Sequence, residues 1–333
     1  SLPVLAITMG DVNGVGPEVL VKALAHADVL TRYRPFVVGS PHVYEQARAL
    51  FAPDAPACVP VEQVPHPWPA EGVPVFAAET EAPAVRYGTL DAAAGACAVA
   101  WLEAAIALVQ AGAAHALVTC PINKEGIHRA GYPYQGHTDL IAERCATTEW
   151  RMCLFAGPLR AVHLTGHLSL REAIDAITAD RIVASVRIAD AGLRRLGIAR
   201  PRIAVPGLNP HAGESGAFGD EEAREVAPAI AQCRDAGYDC HGPVSPDAVF
   251  RHMADGLYDV VIALYHDQGH IPLKLIAMDS GVNVTLGIPI VRTSVDHGTA
   301  YDIAGEGLAR ENSMLAALRL AAQFAANPAT PHV

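Results

Sequence analysis

Short apolar, β-branched runs alternate along the chain with longer amphipathic or alanine-rich stretches. VLAIT at 4–8, PFVVG at 35–39, HALVTC at 115–120, PRIAVPG at 201–207 and DVVIAL at 259–264 have the length and flanking residues of buried strands. RMCLFAG and RAVHLT read as a further pair of strands. Between them, 41–51, 90–111, 179–197, 221–236, 247–253 and 312–325 carry helical patterning, and the alanine-rich 90–111 stretch is apolar on most of its faces. Pro17 suits the first turn of a helix, and Ser169 with Glu172 has the spacing of a capping box. VPHPWPAEGVP, at 64–74, reads as an extended surface loop or edge. Strands alternating with helices predict a mainly parallel α/β fold. A chain of 333 residues is long for one core and comfortable for two domains.

The formal net charge of −11 argues against non-specific binding to nucleic acid or to an anionic membrane surface. An acidic protein with an anionic ligand has to collect its cations locally. Seven scattered cysteines form no CxxC pair, so neither a disulfide framework nor a zinc knuckle is signalled, and reduced thiols are the simplest reading. With no signal peptide and no apolar span of transmembrane length read from the sequence, the expected location is the cytoplasm.

Polar groups then gather where strands end, which is where open α/β sheets place ligand sites. His266, Asp267, Gln268 and His270 follow DVVIAL, and Lys274, Asn283 and Arg292 come soon after. Singly these three are ordinary surface residues; together they suit a phosphate or carboxylate, to which Arg and Lys donate charge-assisted hydrogen bonds. His137 and Thr138 follow Gly136 at a helix start, where unpaired N–H groups attract anions, although Thr138 could equally be a plain N-cap. His167, His211 and His266 each lie just past a strand, and three imidazoles suit a divalent ion with open positions for substrate. Their separations are long, so no local metal motif exists. His163, isolated in an apolar strand, reads as a hydrogen-bonded core residue. Asp247 is either a carboxylate in the site or a helix N-terminal residue. MGDVNGVGPE lacks the third glycine of GxGxxG, so it is no Rossmann phosphate loop.

HDQG, LK, GVNVTLG, RTSVDHGTA and DIAG, in this order, resemble the C-terminal signature of the 4-hydroxythreonine-4-phosphate dehydrogenase family. HGTAYDIAG and GDVNGVGPE are similar to segments of the wider isocitrate and isopropylmalate dehydrogenase superfamily, and INKE, GHT, TGHLSL and LNPHAG extend the likeness over nearly the whole chain. Val12 and Asn13 depart from the Pro-Ala usual in the family. The resemblance implies a two-domain α/β/α fold of the isocitrate/isopropylmalate dehydrogenase type, not a Rossmann fold. One domain would take 1–135 with 295–333, and 136–294 would form a central domain with metal ligands and dimer contacts. It implies NAD or NADP bound at His297, Gly298, Thr299 and Ala300. It also implies one divalent ion (zinc, magnesium or cobalt) on His167, His211 and His266. Substrate ligands would be His137, Thr138, Lys274, Asn283 and Arg292, with Asp247 and Lys274 in catalytic roles.

The reaction implied is oxidation of the 3-hydroxyl of 4-hydroxythreonine 4-phosphate, a small phosphorylated hydroxy acid, followed by decarboxylation, in a homodimer with a shared site. Relatives oxidise D-threonate or D-erythronate 4-phosphate, and DQGHIPLK is closer to those branches; another branch oxidises cis-dihydrodiols of the terephthalate type. The alternative of another class is a non-catalytic protein that binds an anionic metabolite and has no use for the three histidines.

Overall fold

The computed structural model describes residues 2–327. The described residues divide into two compact units, 2–148 with 288–326, and 149–287. The sequence reading placed these boundaries at 135/136 and 294/295. Residues 136–148 and 288–294 pack with the first unit, which therefore holds His137, Thr138 and Arg292.

The first unit opens with β1 (Val4–Thr8), a turn, and α1 (Gly16–Leu24), whose first turn carries Pro17, where a missing N–H costs nothing. It continues through α2 (Ala27–Arg32), β2 (Arg34–Val38), α3 (Pro41–Phe51), β3 (Cys58–Val61) and β4 (Val73–Phe76). The 64–74 stretch is a loop until Val73, where its end joins the sheet. Next come α4 (Ala92–Gln110), β5 (Ala116–Thr119), α5 (Lys124–Arg129) and α6 (His137–Arg144).

By length and composition α4 could cross a membrane, with a mean hydropathy of 1.9, contrary to the sequence reading that found no such span. Its apolar surface has a different use here: Ala94, Cys97, Ala98, Trp101, Leu102 and Ala105 are buried in the first unit, where α4 packs on β1, β2 and β5.

The second unit contains β6 (Arg151–Ala156), β7 (Leu159–His163), α7 (Leu170–Asp175), α8 (Ala179–Arg195) and β8 (Ile203–Pro206). Ser169 and Glu172 form the expected reciprocal cap on α7. A short helical loop, Pro210–Gly216, and a π-type turn, Glu222–Val226, lead into α9 (Ala227–Asp235). Then follow β9 (Cys240–Val244), α10 (Val249–Ala254), β10 (Val260–Ala263), α11 (His266–Ala277) and β11 (Val282–Leu286). The chain returns to the first unit with β12 (Arg292–Val295) and α12 (Asn312–Ala326).

Within the first unit the strand order is β3-β4-β2-β1-β5-β12, all parallel. In the second it is β11-β6-β7-β10-β8-β9. There β6 runs antiparallel to both β7 and β11, while β7, β10, β8 and β9 are parallel. The mainly parallel α/β class is as the pattern predicts. The reversal has a local cause: β6 and β7 are joined by a tight turn at Gly157, too short for the crossover a parallel pair needs.

Candidate functional site

In the first unit the chemistry stands at the ends of β1, β5 and β12. Thr8 pairs with Thr119, and Thr119 with Ser294, so three hydroxyl residues occupy one row across three strands. Arg292 lies two residues before Ser294 and projects from the same sheet face. It is only 3% exposed, and its Nη2 donates to Thr119 Oγ1 at 2.9 Å. Burial pulls its pKa down to about 9, which leaves it cationic near neutral pH.

His137 opens α6, beside this charge. Burial, and then the Arg292 charge, hold its pKa well below the usual imidazole value, opposed by a hydrogen bond to the Cys120 backbone. Its Nε2 is sealed from solvent and has no hydrogen-bond partner among the described residues. A neutral imidazole edge and a guanidinium thus meet where an anion could satisfy both. Thr138, the next residue of α6, is half-buried.

The segment His297–Ala300 is fixed against the turn after β1. Val15 N donates to the Thr299 carbonyl at 3.0 Å, and a Cβ on Gly14 would lie 2.8 Å from the Thr299 Cβ. Tyr301 donates its hydroxyl to Asp11 Oδ2 at 2.5 Å, and Asn13 N donates to Asp11 Oδ1. Asp11 is fully buried, and desolvation raises its pKa. Asn13 in turn receives Arg86 N on its side-chain oxygen and donates to the Thr89 carbonyl. Lys22 binds Glu18 and the carbonyls of Gly307 and Ala309. Asp11 is therefore a structural brace of the turn, and His297, with Nε2 buried and unpartnered among the described residues, remains the polar group free to meet a ligand.

In the second unit α11 organises the rest. His266, His270 and Lys274 recur every four residues and so share one helix face. His270 stacks on His266, with ring centroids 3.7 Å apart and an interplanar angle of 10°, and its Nδ1 pairs with His163 Nε2 at 2.9 Å. His163 is the buried core residue its strand suggests; desolvation and then the two neighbouring imidazoles lower its pKa to about 3. Gly269 makes the approach possible, since a Cβ there would lie 2.6 Å from His163 Nε2. Buried Gln268 accepts from Leu264 N at 2.7 Å and donates to the Gly207 carbonyl at 2.9 Å, tying together the loops after β10 and β8.

His167 is exposed after β7, and its ring lies 5.2 Å from that of His266. His211 sits in the 210–216 loop, where His211, Ala212, Glu214 and Ser215 all have positive φ, a conformation costing roughly 1–2 kcal/mol per residue. Buried Glu222 holds that loop by accepting from Leu208 N, Asn209 N and Asn209 Nδ2. The His211 ring centroid lies 6.3 Å from that of Phe218. Asp247 is exposed; a hydrogen bond from Ser245 at 2.6 Å, more than His211, holds its carboxyl low.

Two of the three expected metal donors, His167 and His266, are thus neighbours, and the third, His211, lies on the loop that follows β8. Among the described residues no group of three or more His, Cys, Asp or Glu side chains is arranged to hold a metal ion. Imidazole is a good donor to a divalent ion, and His167 and His266 already stand side by side as two such donors. Lys274, Asn283 and Arg292, one stretch in the sequence, fall on α11, β11 and β12, the first two in the second unit and Arg292 in the first. Asn283 Oδ1 is buried without a partner among the described residues. Thr119, Glu222 and Tyr301 escaped the sequence reading because their importance lies in partners 13 to 290 residues away. Tyr301, inside HGTAYDIAG, stood within a visible signal, and Gln268 was named with its neighbours in HDQGH.

Both depressed histidines have a consequence for stability. A folded-state pKa below the unfolded value means that the unfolded chain binds more protons between the two. Stability is therefore complete above about pH 6.5 and declines as pH falls from there toward 3, the His163 value. Chemical denaturation at pH 7, 6 and 5 should show midpoints falling in that order. A flat profile would mean that these imidazoles are not buried neutral.

The family profile of the pyridoxal phosphate biosynthetic protein PdxA matches residues 31–321. The chain is 41% identical to D-threonate 4-phosphate dehydrogenase of Pectobacterium atrosepticum, over 97% of this chain and 99% of that protein. It is 43% identical to 4-hydroxythreonine-4-phosphate dehydrogenase of Desulfosudis oleivorans, over 97% and 96%. The crystal structure of 4-hydroxythreonine-4-phosphate dehydrogenase from Klebsiella pneumoniae superposes with a TM-score of 0.89 at 42% identity, covering 97% of this chain and 98% of that one.

Proposed function

Because the chain belongs to the PdxA family, we propose that it is a nicotinamide-dependent dehydrogenase that oxidises a secondary hydroxyl of a four-carbon, 4-phosphorylated hydroxy acid. The observation that carries the substrate class is the buried Arg292, cationic beside neutral His137 in a chain of net charge −11. Such a pair attracts an anionic group and is out of place in a protein that acts on a neutral substrate.

His297–Ala300 would hold NAD or NADP, which would supply the hydride acceptor, and His167, His211 and His266 would hold a divalent ion, which would supply Lewis-acid polarisation of the reacting hydroxyl. The chain's own groups do the rest. Arg292, His137 and Thr138 bind and orient the anionic substrate, with Lys274 and Asn283 as further ligands. Lys274 donates protons in hydrogen bonds to substrate oxygens. Asp247, kept ionised by Ser245, accepts a proton. Oxidation of a hydroxyl β to the carboxylate yields a β-keto acid, which loses carbon dioxide and takes up one proton in its place. 4-Hydroxythreonine 4-phosphate and D-threonate 4-phosphate both meet this description. DQGHIPLK favours the sugar-acid phosphate.

The test is a substrate panel read by reduced-nicotinamide absorbance. It holds 4-hydroxythreonine 4-phosphate, D-threonate and D-erythronate 4-phosphates and a terephthalate-type cis-dihydrodiol. Each is tried with NAD and NADP, after chelation and after return of zinc, magnesium or cobalt. Turnover of a phosphorylated acid that stops on chelation and returns with metal is expected. Turnover of the dihydrodiol alone, or of no panel member, defeats the reading.

The same reading makes the protein a cytoplasmic homodimer joined through the second unit. Ile271, Leu275 and Met278 are 64%, 83% and 73% exposed and follow one another around the outer face of α11. Leu168, Leu170 and Ile174 are exposed on and before α7. Apolar surface of this kind marks an association site. Light scattering should find twice the chain mass, and Leu275→Asp should halve it. A wild-type monomer would refute the dimer.

A further inference from the structure

We propose that Thr119 is a positioning residue for Arg292, so that the hydroxyl of one buried threonine determines how firmly the anionic substrate is gripped. The inference rests on the reading of Arg292 as a substrate ligand.

A guanidinium carries five donors on a long side chain, and in a buried setting its orientation depends on which acceptors it finds. Thr119 Oγ1 is such an acceptor, 2.9 Å from Arg292 Nη2. Thr119 is itself fully buried and paired on both sides of its strand. Its main chain pairs with Thr8 on one side and with Ser294 on the other, and Ser294 Oγ donates to the Thr119 carbonyl at 3.2 Å. The acceptor is therefore part of a rigid rung and does not adapt to the arginine.

The next residues extend the argument. The Cys120 backbone is the hydrogen-bond partner of His137, Cys120 N donates to the Thr8 carbonyl, and the Pro121 carbonyl receives Asp11 N. One strand end, Thr119–Pro121, thus sets the orientation of Arg292, of His137 and of the turn before α1. Valine at 119 would have nearly the same shape and no acceptor, which would take from the guanidinium the fixed hydroxyl that Nη2 now meets. Thr119 does not have to touch substrate to matter. It acts through Arg292.

The experiment compares wild type with Thr119→Val, Thr119→Ser and Arg292→Met at saturating nicotinamide cofactor. The probe is D-threonate 4-phosphate, or 4-hydroxythreonine 4-phosphate if that is the acid oxidised. Thr119→Val should raise KM about tenfold, the factor for one lost hydrogen bond, with kcat within about twofold. Thr119→Ser, which keeps the hydroxyl, should return KM to within about threefold of wild type. Arg292→Met should raise KM further.

Equal losses in the Val and Ser variants would mean that the methyl group packs and the hydroxyl does nothing, and the proposal falls. So would an unchanged KM in Thr119→Val when Arg292→Met is impaired. An unchanged KM in Arg292→Met instead overturns the substrate reading itself, and with it this inference. Should Thr119→Val not fold, Thr119→Ala against Thr119→Ser makes the same comparison of hydroxyl present and absent.

Discussion

Replacing Arg292 by methionine is expected to lower kcat/KM for the phosphorylated acid by a factor of about 100 to 1,000. The magnitude follows from removing one charged partner of a buried, hydrogen-bonded anion contact, which typically costs about 3–4 kcal/mol. Methionine keeps much of the apolar stem's volume, so the side chain continues to fill its place behind the sheet. What is lost is the donor to Thr119 and the positive charge beside His137. A second readout separates this from general damage. The Arg292 charge is one of the causes holding the His137 pKa low, so in the variant the His137 titration, followed by NMR, should move up toward its ordinary value. A variant with wild-type kcat/KM would remove Arg292 from the substrate site. An unmoved His137 titration with lost activity would point to disrupted packing.

Gly10→Ala is expected to destabilise the protein by about 3 kcal/mol or more, a drop in Tm on the order of 5 °C. Two costs add. Gly10 has φ +73°, the left-handed region that only glycine enters cheaply. A Cβ there would also press into the Pro121 carbonyl oxygen, inside van der Waals contact and against main chain that cannot rotate away. That carbonyl already accepts from Asp11 N at 2.9 Å, so relief by moving it breaks a buried hydrogen bond. Because the turn also seats Thr299 through Gly14 and Val15, cofactor affinity should fall together with Tm. Gly131→Ala is the control: φ is also positive, but nothing lies within 4 Å of the added Cβ, so only the backbone cost of about 1 kcal/mol applies. Equal Tm losses in the two variants would show that the close approach to Pro121 carries no energy.

The sequence announces elements whose cause is local. VLAIT, HALVTC and DVVIAL are strands because nothing but burial suits them, and Ser169 with Glu172 starts a helix through contacts spanning three residues. Histidines past strand ends and GHT at a helix start are likewise visible, since position along the chain fixes them. What is hidden depends on register and return. The hydroxyl row Thr8–Thr119–Ser294 exists only once β1, β5 and β12 are adjacent, and no spacing in the sequence encodes that.

The helix carrying His266 is also obscured. Gly269 and Pro272 lie inside it, and both count against a helix when propensity alone is weighed. Tertiary contacts override them: Gly269 is required by His163, and Gln268 and Leu273 are buried. The histidine triad shows the limit from the other side. Three similar residues at similar places in the chain suggest one site, but the left-handed backbone that carries His211 could not be read from its spacing.

The placement of β12 has a bearing on how the protein is made. Strand β5 lies between β1 and β12, and its partner residues on β12 come 173 positions later, as measured from Thr119 to Arg292. At about 5–20 residues per second, a ribosome needs roughly 10–35 s to cover that distance. For that interval the nascent first unit carries β5 with one open edge, apolar on both faces, while the whole of 149–287 emerges and is free to fold. Arg292 and Thr119 therefore meet only after the residues of the second unit have been made. A released chain truncated after Gly287 should hold a folded second unit tethered to a first unit that still recruits chaperones.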